Sequence, residues 1–361
     1  MIEFKALNRK QLQAYVDSEE YYLERHQAIT KHRALSYLLN PEGDEKDIVM
    51  ILAYKNGKLI GYRGILPGLI FYSDGTSERF GWFSTIWIDP AFRGLGIGKQ
   101  LVKMALDLWD GKIVTTYLNK FSYSLHSKTG YFDELCSSSG LRIFLRSNLT
   151  KLRPSKFPNL KKAAFLFRLI DRTCNSLISL LQPNLKAGNF EHVENIDSEA
   201  EAFIIEHSKD NIFKRTAREL NWIINNKWII SSEQVNKKYH FSSHAKSFNY
   251  YCIKVRDNEN KLVGFLMFSK RDGSVKLPYC YFHPHFFNQV IDTINYHLIK
   301  WRTDEFTTYH ASLVDYYLRP GSLGLFKKRI KRPYLFSKYF KEKLSGMSPK
   351  LQDGDGDYVF T

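Results

Sequence analysis

Between Ile86 and Leu101 the chain reads Ile-Trp-Ile-Asp-Pro-Ala-Phe-Arg-Gly-Leu-Gly-Ile-Gly-Lys-Gln-Leu. The residues before it, Phe80 to Ile88, have the apolar character of a strand. After it, Leu101, Val102, Ala105, Leu106 and Trp109 recur at helical spacing. Three alternating glycines, Gly94, Gly96 and Gly98, stand between the two. Glycine lets backbone N–H groups approach a ligand closely. A helix N-terminus adds donors that have no partner within the helix, together with a partial positive charge. A strand entering a helix through such a turn makes a phosphate cradle and demands a fold in which sheet and helix pack together.

The flanks agree with that class. Ile2 to Leu7 predicts a strand, Arg9 to Leu23 and Ala28 to Leu39 predict helices, and Ile48 to Lys55 with Leu59 to Ile65 predicts a hairpin turning at Asn56-Gly57. Ile70 to Tyr72 and Phe80 to Ile88 extend the sheet, Lys112 to Tyr117 adds a strand, and Ser122 to Lys128 adds a helix ending at Gly130. Leu141 to Leu145 closes the unit. Pro154 and Pro158 mark a basic linker, and a helix starting at Asn159 stops before Pro183, with Phe167, Ile170, Cys174, Leu177 and Leu181 as its apolar stripe. Farther on, Tyr250 to Arg256 and Lys261 to Ser269 predict a second hairpin, followed by a helix from Phe286 to Leu298.

Spacing separates the kinds of phosphate cradle. The dinucleotide fingerprint needs a third glycine one residue later than Gly98. The mononucleotide P-loop needs a glycine where Arg93 stands and a hydroxyl residue where Gln100 stands. What remains is Arg93-x-x-Gly96-x-Gly98 after a strand ending Ile-Asp-Pro, and this resembles the coenzyme-A loop of the GNAT acyltransferases. Downstream, Asn119 followed by Leu125-His126-Ser127-Lys128-Thr129-Gly130-Tyr131 is similar to the family's Asn and its Leu-Tyr-x-Lys-x-Gly-Phe helix end, with His126 in the tyrosine's place.

The resemblance implies a GNAT fold over residues 1–148: α/β with mixed α+β character, a central mostly antiparallel mixed sheet flanked by helices. It implies acyl transfer from acetyl-CoA or another acyl-CoA to an amine. Gly94, Leu95, Gly96, Ile97, Gly98, Lys99 and Gln100 would hold the pyrophosphate with Arg93, and Trp87, Ile88 and Asn119 would meet the pantetheine arm. His126 or Tyr123 would protonate the departing thiolate, although a helix-capping role for His126 is an equal reading. No general base is evident: Glu78 lies at the far start of its strand. Arg33, Trp82, Ser84 and Thr85, near Tyr62, are candidates for the acceptor pocket, against core packing as the commoner role.

The 361 residues are too many for one ordinary core and suit two domains. Residues 149–189 are expected as a basic linker with an amphipathic helix, and 190–361 as a second, degenerate GNAT-like unit in tandem, without a coenzyme-A loop. His283 and His285 lack a nearby Asp or Glu to complete a metal set, so no metal is expected. The four scattered cysteines form no CxxC pair and suit a reducing compartment. No signal sequence or apolar span is visible, so a cytoplasmic location is expected. The formal charge is +16, and it is concentrated in residues 142–172 (nine Lys/Arg, one Asp) and 327–343 (eight Lys/Arg, one Glu). Such patches attract anions, and the expected partner is a small-molecule amine, with amino sugars and nucleotide-linked amino sugars as the class considered and no DNA. The competing readings are a non-catalytic coenzyme-A binder and an aminoacyl-tRNA-dependent ligase of the double-GNAT type. Oligomeric state is left open.

Overall fold

The computed structural model describes residues 1–116, 120–152, 164–181, 188–347 and 349–361. The chain begins with β1 (Ile2–Asn8), α1 (Arg9–Asp17), α2 (Glu19–Leu23), α3 (Lys31–Leu38), β2 (Ile48–Lys55), β3 (Lys58–Phe71) and β4 (Ser77–Ile88). It continues through α4 (Ile97–Leu108), β5 (Ile113–Thr116), α5 (Lys120–Thr129), β6 (Phe132–Phe144), α6 (Leu149–Leu152) and α7 (Ala164–Leu181). Then come β7 (Phe190–Val193), α8 (Ser198–His207), α9 (Ala217–Asn225), β8 (Ile230–Ser231), β9 (His244–Ala245), β10 (Phe248–Arg256), β11 (Leu262–Arg271) and β12 (Ser274–Phe282). The last elements are α10 (Phe287–Lys300), β13 (Glu305–Thr308), α11 (Ala311–Leu318), β14 (Phe326–Ser337) and α12 (Lys338–Lys343).

These elements form two compact units that are not consecutive in sequence: residues 1–138, 195–248 and 331–361 make the first, and 139–194 with 249–330 the second. The expected sequential division at 148 and 190 therefore differs from the observed one. The segment 195–248 and the last thirty-one residues pack with the N-terminal part, and α6 and α7 of the expected linker belong to the second unit.

In the first unit the strand order is β1-β2-β3-β4-β5-β14. Neighbouring strands run antiparallel through β4, β4 and β5 are parallel, and β14 returns antiparallel to β5. One face of the sheet is sealed by α4, whose Ile97, Leu101, Val102 and Ala105 pack with Ile51, Ile65, Phe83, Ile113 and Leu335. The opposite side holds Tyr62, Trp82 and Trp87, with rings contributed by Phe213 and His240.

Several boundaries depart from expectation for local reasons. The helix expected over Arg9–Leu23 breaks at Ser18, whose extended backbone lets its hydroxyl bond Tyr15 O and cap Tyr21 N. The helix expected from Ala28 starts at Lys31, after Thr30 as N-cap. The strands expected as Leu59–Ile65 and Ile70–Tyr72 are one strand, β3, which passes straight through Pro67. Proline is tolerated there because the described β2 pairing ends at Gly64, so no ladder bond needs its N–H. The basic segment 327–343, read as a surface patch, builds β14 and α12, and it buries Arg332.

In the second unit the order is β6-β13-β12-β11-β10-β7 around a core that includes Ile253, Leu266, Val290, Ile294, Phe306 and Tyr317. The succession β12, a short 3-10 turn Pro284–Phe286, α10, a parallel β13 and α11 repeats that of β4, the turn Pro90–Phe92, α4, a parallel β5 and α5. No helix among the described residues is long and apolar enough to cross a membrane.

Candidate active site

The parallel pairing of β4 with β5 covers only Gly81↔Ile113, Trp82↔Val114 and Phe83↔Thr115. Beyond Phe83 the β4 edge, Ser84 to Ile88, faces no described strand on that side, while β3 still holds its other edge through Ile88. Trp87 and Ile88 thus lie where one row of backbone polar groups pairs with no described strand. The Trp87 ring is stacked between Tyr62 and His240, centroids 5.6 and 4.2 Å away. Asn119, the expected second contact of the arm, lies outside the described residues.

The glycine loop follows directly. Asp89 accepts from Ala91 N–H at 2.9 Å and fixes the 3-10 turn Pro90–Phe92. Gly94 and Gly96 have φ of +87° and +78°, and Gly96 is the N-cap of α4 with no side chain to cap it. The first-turn N–H groups of Ile97, Gly98 and Lys99 therefore have no carbonyl partner within the helix and no capping side chain. Arg93, Leu95, Lys99 and Gln100 are exposed around this opening. Gly98 serves packing instead. A Cβ there would lie 2.9 Å from Ile88 Cδ1 and 3.2 Å from Leu125 Cδ2, so its absence lets α4 sit tightly on the strand end and on α5. Beside the opening, Lys99, Phe121, Ser124, Leu125, Lys128 and Thr129 line a groove of about 190 Å³.

Both expected acids are placed by α5. His126 is fully buried against Phe83 and Phe132. Its Nδ1 is 2.6 Å from Ser122 O, a carbonyl that can only accept, so Nδ1 carries the proton. Its Nε2 then accepts from Arg63 Nη2 at 3.2 Å. Burial, reinforced by the Arg63 charge, pushes the imidazole down to about 3. A neutral ring with both nitrogens engaged has no proton to offer a thiolate, and this corrects the expected acid role of His126. Tyr123 is more than a third exposed and donates to Glu134 Oε2 at 3.0 Å; that carboxylate holds its phenol above the ordinary range.

The acceptor candidates fall into two groups. Trp82 is a core residue among Phe80 and Phe213. Thr85 is buried beside Gly64. Arg33 is buried rather than presented to a pocket: Nη1 donates to Tyr239 Oη at 2.8 Å, Nη2 to Ser84 Oγ at 2.5 Å and to Tyr37 Oη at 3.3 Å, and the group stacks 3.5 Å from the Trp228 ring centre. Ser84, half-buried, passes the network on by donating to Asp357 Oδ2 at 2.7 Å.

Asp357 is the functional candidate that sequence reasoning missed. It lies on the segment 349–361, of which residues 353–356 and 358–360 are buried while Asp357 itself is half-buried. Gly356, at φ +82°, threads this segment past Thr116 at the end of β5 and past Trp82: a Cβ would meet them at 2.9 and 3.4 Å. The carboxylate therefore arrives where β4 leaves β5. Burial raises its pKa above the ordinary carboxylate range, opposed by Arg33, the Ser84 hydroxyl and Arg63. Nearby on the segment, Asp355 is fully buried and pushed up to about 7 by desolvation, with Oδ1 lacking a hydrogen-bond partner. Glu78, by contrast, accepts from Tyr72, Tyr339 and Lys343; these bonds outweigh its desolvation and hold it down at about 2.

No curated protein matches the chain. Among solved structures, Saccharomyces cerevisiae N-myristoyltransferase with bound myristoyl-CoA superposes with a TM-score of 0.52 at 13% identity, over 93% of this chain and 82% of that one. The GCN5-related N-acetyltransferase of Kribbella flavida gives 0.51 at 8% identity, over 92% and 70%. At such identities the likeness is one of fold. The sequence carries the rest: the model of the Acetyltransferase (GNAT) family matches residues 10–131, which span the glycine loop, the divergent strand edge and α5.

Proposed function

We propose that the chain is an acyl-CoA-dependent N-acyltransferase whose general base is Asp357. The observation that carries this reading is the release of the β4 edge at Ser84, immediately before an uncapped, glycine-entered helix and directly against a carboxylate of raised pKa. Acyl-CoA supplies an activated thioester carbonyl. The N–H groups at the start of α4 suit its pyrophosphate, and the groove carrying Lys99 and Lys128 suits the anionic adenosine end. Free N–H groups on the β4 edge suit the pantetheine amides and the oxyanion that develops at the carbonyl. As the amine nitrogen bonds to the thioester carbon, Asp357 takes its proton while Ser84 and Arg33 hold the carboxylate in place; the C–S bond then breaks, and coenzyme A leaves as its thiolate and takes a proton from solvent. A base poised above the usual carboxylate range is closer to the operating pH and so more effective. The myristoyl-CoA bound by the yeast neighbour supports the choice of an acyl-CoA and keeps acyl chains longer than acetyl in view. The second unit is read as a GNAT-like repeat without the cofactor loop, since Phe286 stands at the α10 N-cap where Gly96 stands at that of α4.

Calorimetry with acetyl-CoA and longer acyl-CoAs tests binding; absence of binding to any of them ends the reading. Asp357→Asn is expected to lower kcat about a hundredfold or more. Its acyl-CoA affinity should stay near that of the parent, and the acid limb of the pH–rate profile should disappear. An Asp357→Asn enzyme with the parent's turnover would remove Asp357 from the chemistry while leaving the cofactor assignment intact.

A further inference from the structure

An amphipathic helix ordinarily turns its apolar stripe inward. In α7, Phe167, Ile170, Cys174 and Ile178 are half-buried, but a second set of apolar residues is left on the outward side. Asp171 faces inward and accepts four hydrogen bonds, from Ser147 Oγ at 2.6 Å, Leu149 N at 2.9 Å, Thr150 N at 3.1 Å and Thr150 Oγ1 at 2.9 Å. Asn175, one turn on, accepts from Ser147 N at 2.8 Å and donates to Ser147 O at 2.9 Å. These polar bonds pin the rotation of the helix. At about 100° per residue, Phe165, Leu166, Leu169, Leu177 and Leu180 then share one outward arc of about 120°. They are 75, 53, 51, 56 and 82% exposed.

Apart from Asp171, the charged residues of α7 are both cations: Arg172 stands exposed at the edge of the arc, and Arg168 is exposed one turn earlier, outside that edge. Asp171 is the sole acidic residue between 142 and 172, and it is consumed inside. A second exposed apolar pair, Leu325 at 60% and Phe326 at 62%, is followed by Lys327, Lys328 and Arg329. It hangs from the same stretch of chain: Leu325 N donates to Phe144 O at 2.7 Å, and Phe326 packs on Phe144 with ring centres 5.7 Å apart. Phe144 is only three residues, at most about 11 Å, from the Ser147 that anchors α7.

We propose that the outward face of α7, with Leu325 and Phe326, docks the protein on an anionic lipid bilayer. Neither signal suffices alone; apolar burial in the interface together with cations against lipid phosphates gives stable peripheral binding. The eighteen residues lie in the plane of the surface, about 27 Å long.

The test is co-sedimentation of the full chain with vesicles of phosphatidylcholine alone or mixed with phosphatidylglycerol. The mixed vesicles should capture the protein, the neutral ones should not, and capture should fall as salt rises. Leu169→Glu/Leu177→Glu/Leu180→Glu should weaken partitioning at least about a hundredfold, with unfolding midpoint and acyl-CoA affinity unchanged because the three side chains are exposed. Arg168→Gln and Arg172→Gln should each cost about fivefold on anionic vesicles. Equal capture by both vesicle types, no capture by either, or unaltered capture of the triple variant would overturn the proposal. So would a parent dimer, seen by sedimentation velocity, that the triple variant dissociates without any vesicle binding: the face would then be a self-association surface.

Discussion

His126 occupies the position where the family pattern has a tyrosine, and its surroundings explain how a histidine serves there without acting on substrate. Its ring ties Ser122 O to Arg63, and Arg63 is a buried cation stacked 3.5 Å from the Phe83 ring centre. Replacing it with Phe keeps the ring contacts but leaves the buried Arg63 Nη2 without this acceptor, so a loss of about 2–3 kcal/mol is expected near neutral pH. The loss should shrink in acid. In the unfolded chain the imidazole binds a proton below about 6.5, whereas in the folded protein it stays neutral down to about 3. The parent therefore forfeits stability as pH falls through that window, by about 1.4 kcal/mol per pH unit, and His126→Phe does not. Denaturant unfolding of both proteins from pH 7 to pH 4 reads the convergence; parallel curves would mean that the histidine is protonated in the fold. The motif made this residue visible, but not its role: the partner on Nε2 comes from a strand sixty-three positions earlier. Asp357 was hidden more deeply, since 273 positions separate it from Ser84, and a carboxylate in a Gly-Asp run carries no signal of burial.

At the scale of elements, the glycines that made the loop readable play two different parts. Gly94 and Gly96 supply left-handed backbone, and a Cβ on either meets nothing within 4 Å. Gly98 supplies room. Gly96→Ala should cost about 1–2 kcal/mol through its φ alone, while Gly96→Asn, which tolerates that region, should cost less. Gly98→Val drives methyl groups toward Ile88 and Leu125, so α4 must shift from the strand end. It should cost about 1–3 kcal/mol and weaken acyl-CoA binding as well. Thermal unfolding with calorimetry separates the cases; a Gly98→Val protein of parental stability would contradict the close packing. Strands and helices with clear periodicity were legible: β2, α4, β10 and β11 lie within a few residues of expectation. β14 was not, because its first half carries solvent-facing Lys and Arg and burial begins only at Arg332, itself a cation.

The whole molecule depends on chain ends returning to early structure, which no local pattern announces. Residues 331–361 belong to the first unit, and their last segment behaves as core although it forms almost no regular structure. Tyr358, Val359 and Phe360 are 2, 0 and 0% exposed. The Phe360 ring lies nearly parallel to Trp228, 4.2 Å away, and Arg332 stacks 3.7 Å from the Tyr358 ring centre while donating to Asp353 O at 2.6 Å. Burying three such side chains contributes about 5–8 kcal/mol, which is comparable with the whole stability of an ordinary domain. Deleting residues 353–361 should therefore unfold the first unit rather than trim a tail, with loss of its cooperative transition and rapid proteolysis within residues 1–138. Phe360→Ala, leaving a cavity beside Trp228, should cost about 3–5 kcal/mol and keep the fold near room temperature. A truncated chain that melts with the parent would show that the segment is dispensable to the core. A truncated chain that stays folded and binds acyl-CoA but turns over no amine would instead isolate the loss of Asp357, so the deletion separates what the segment holds together from what it does.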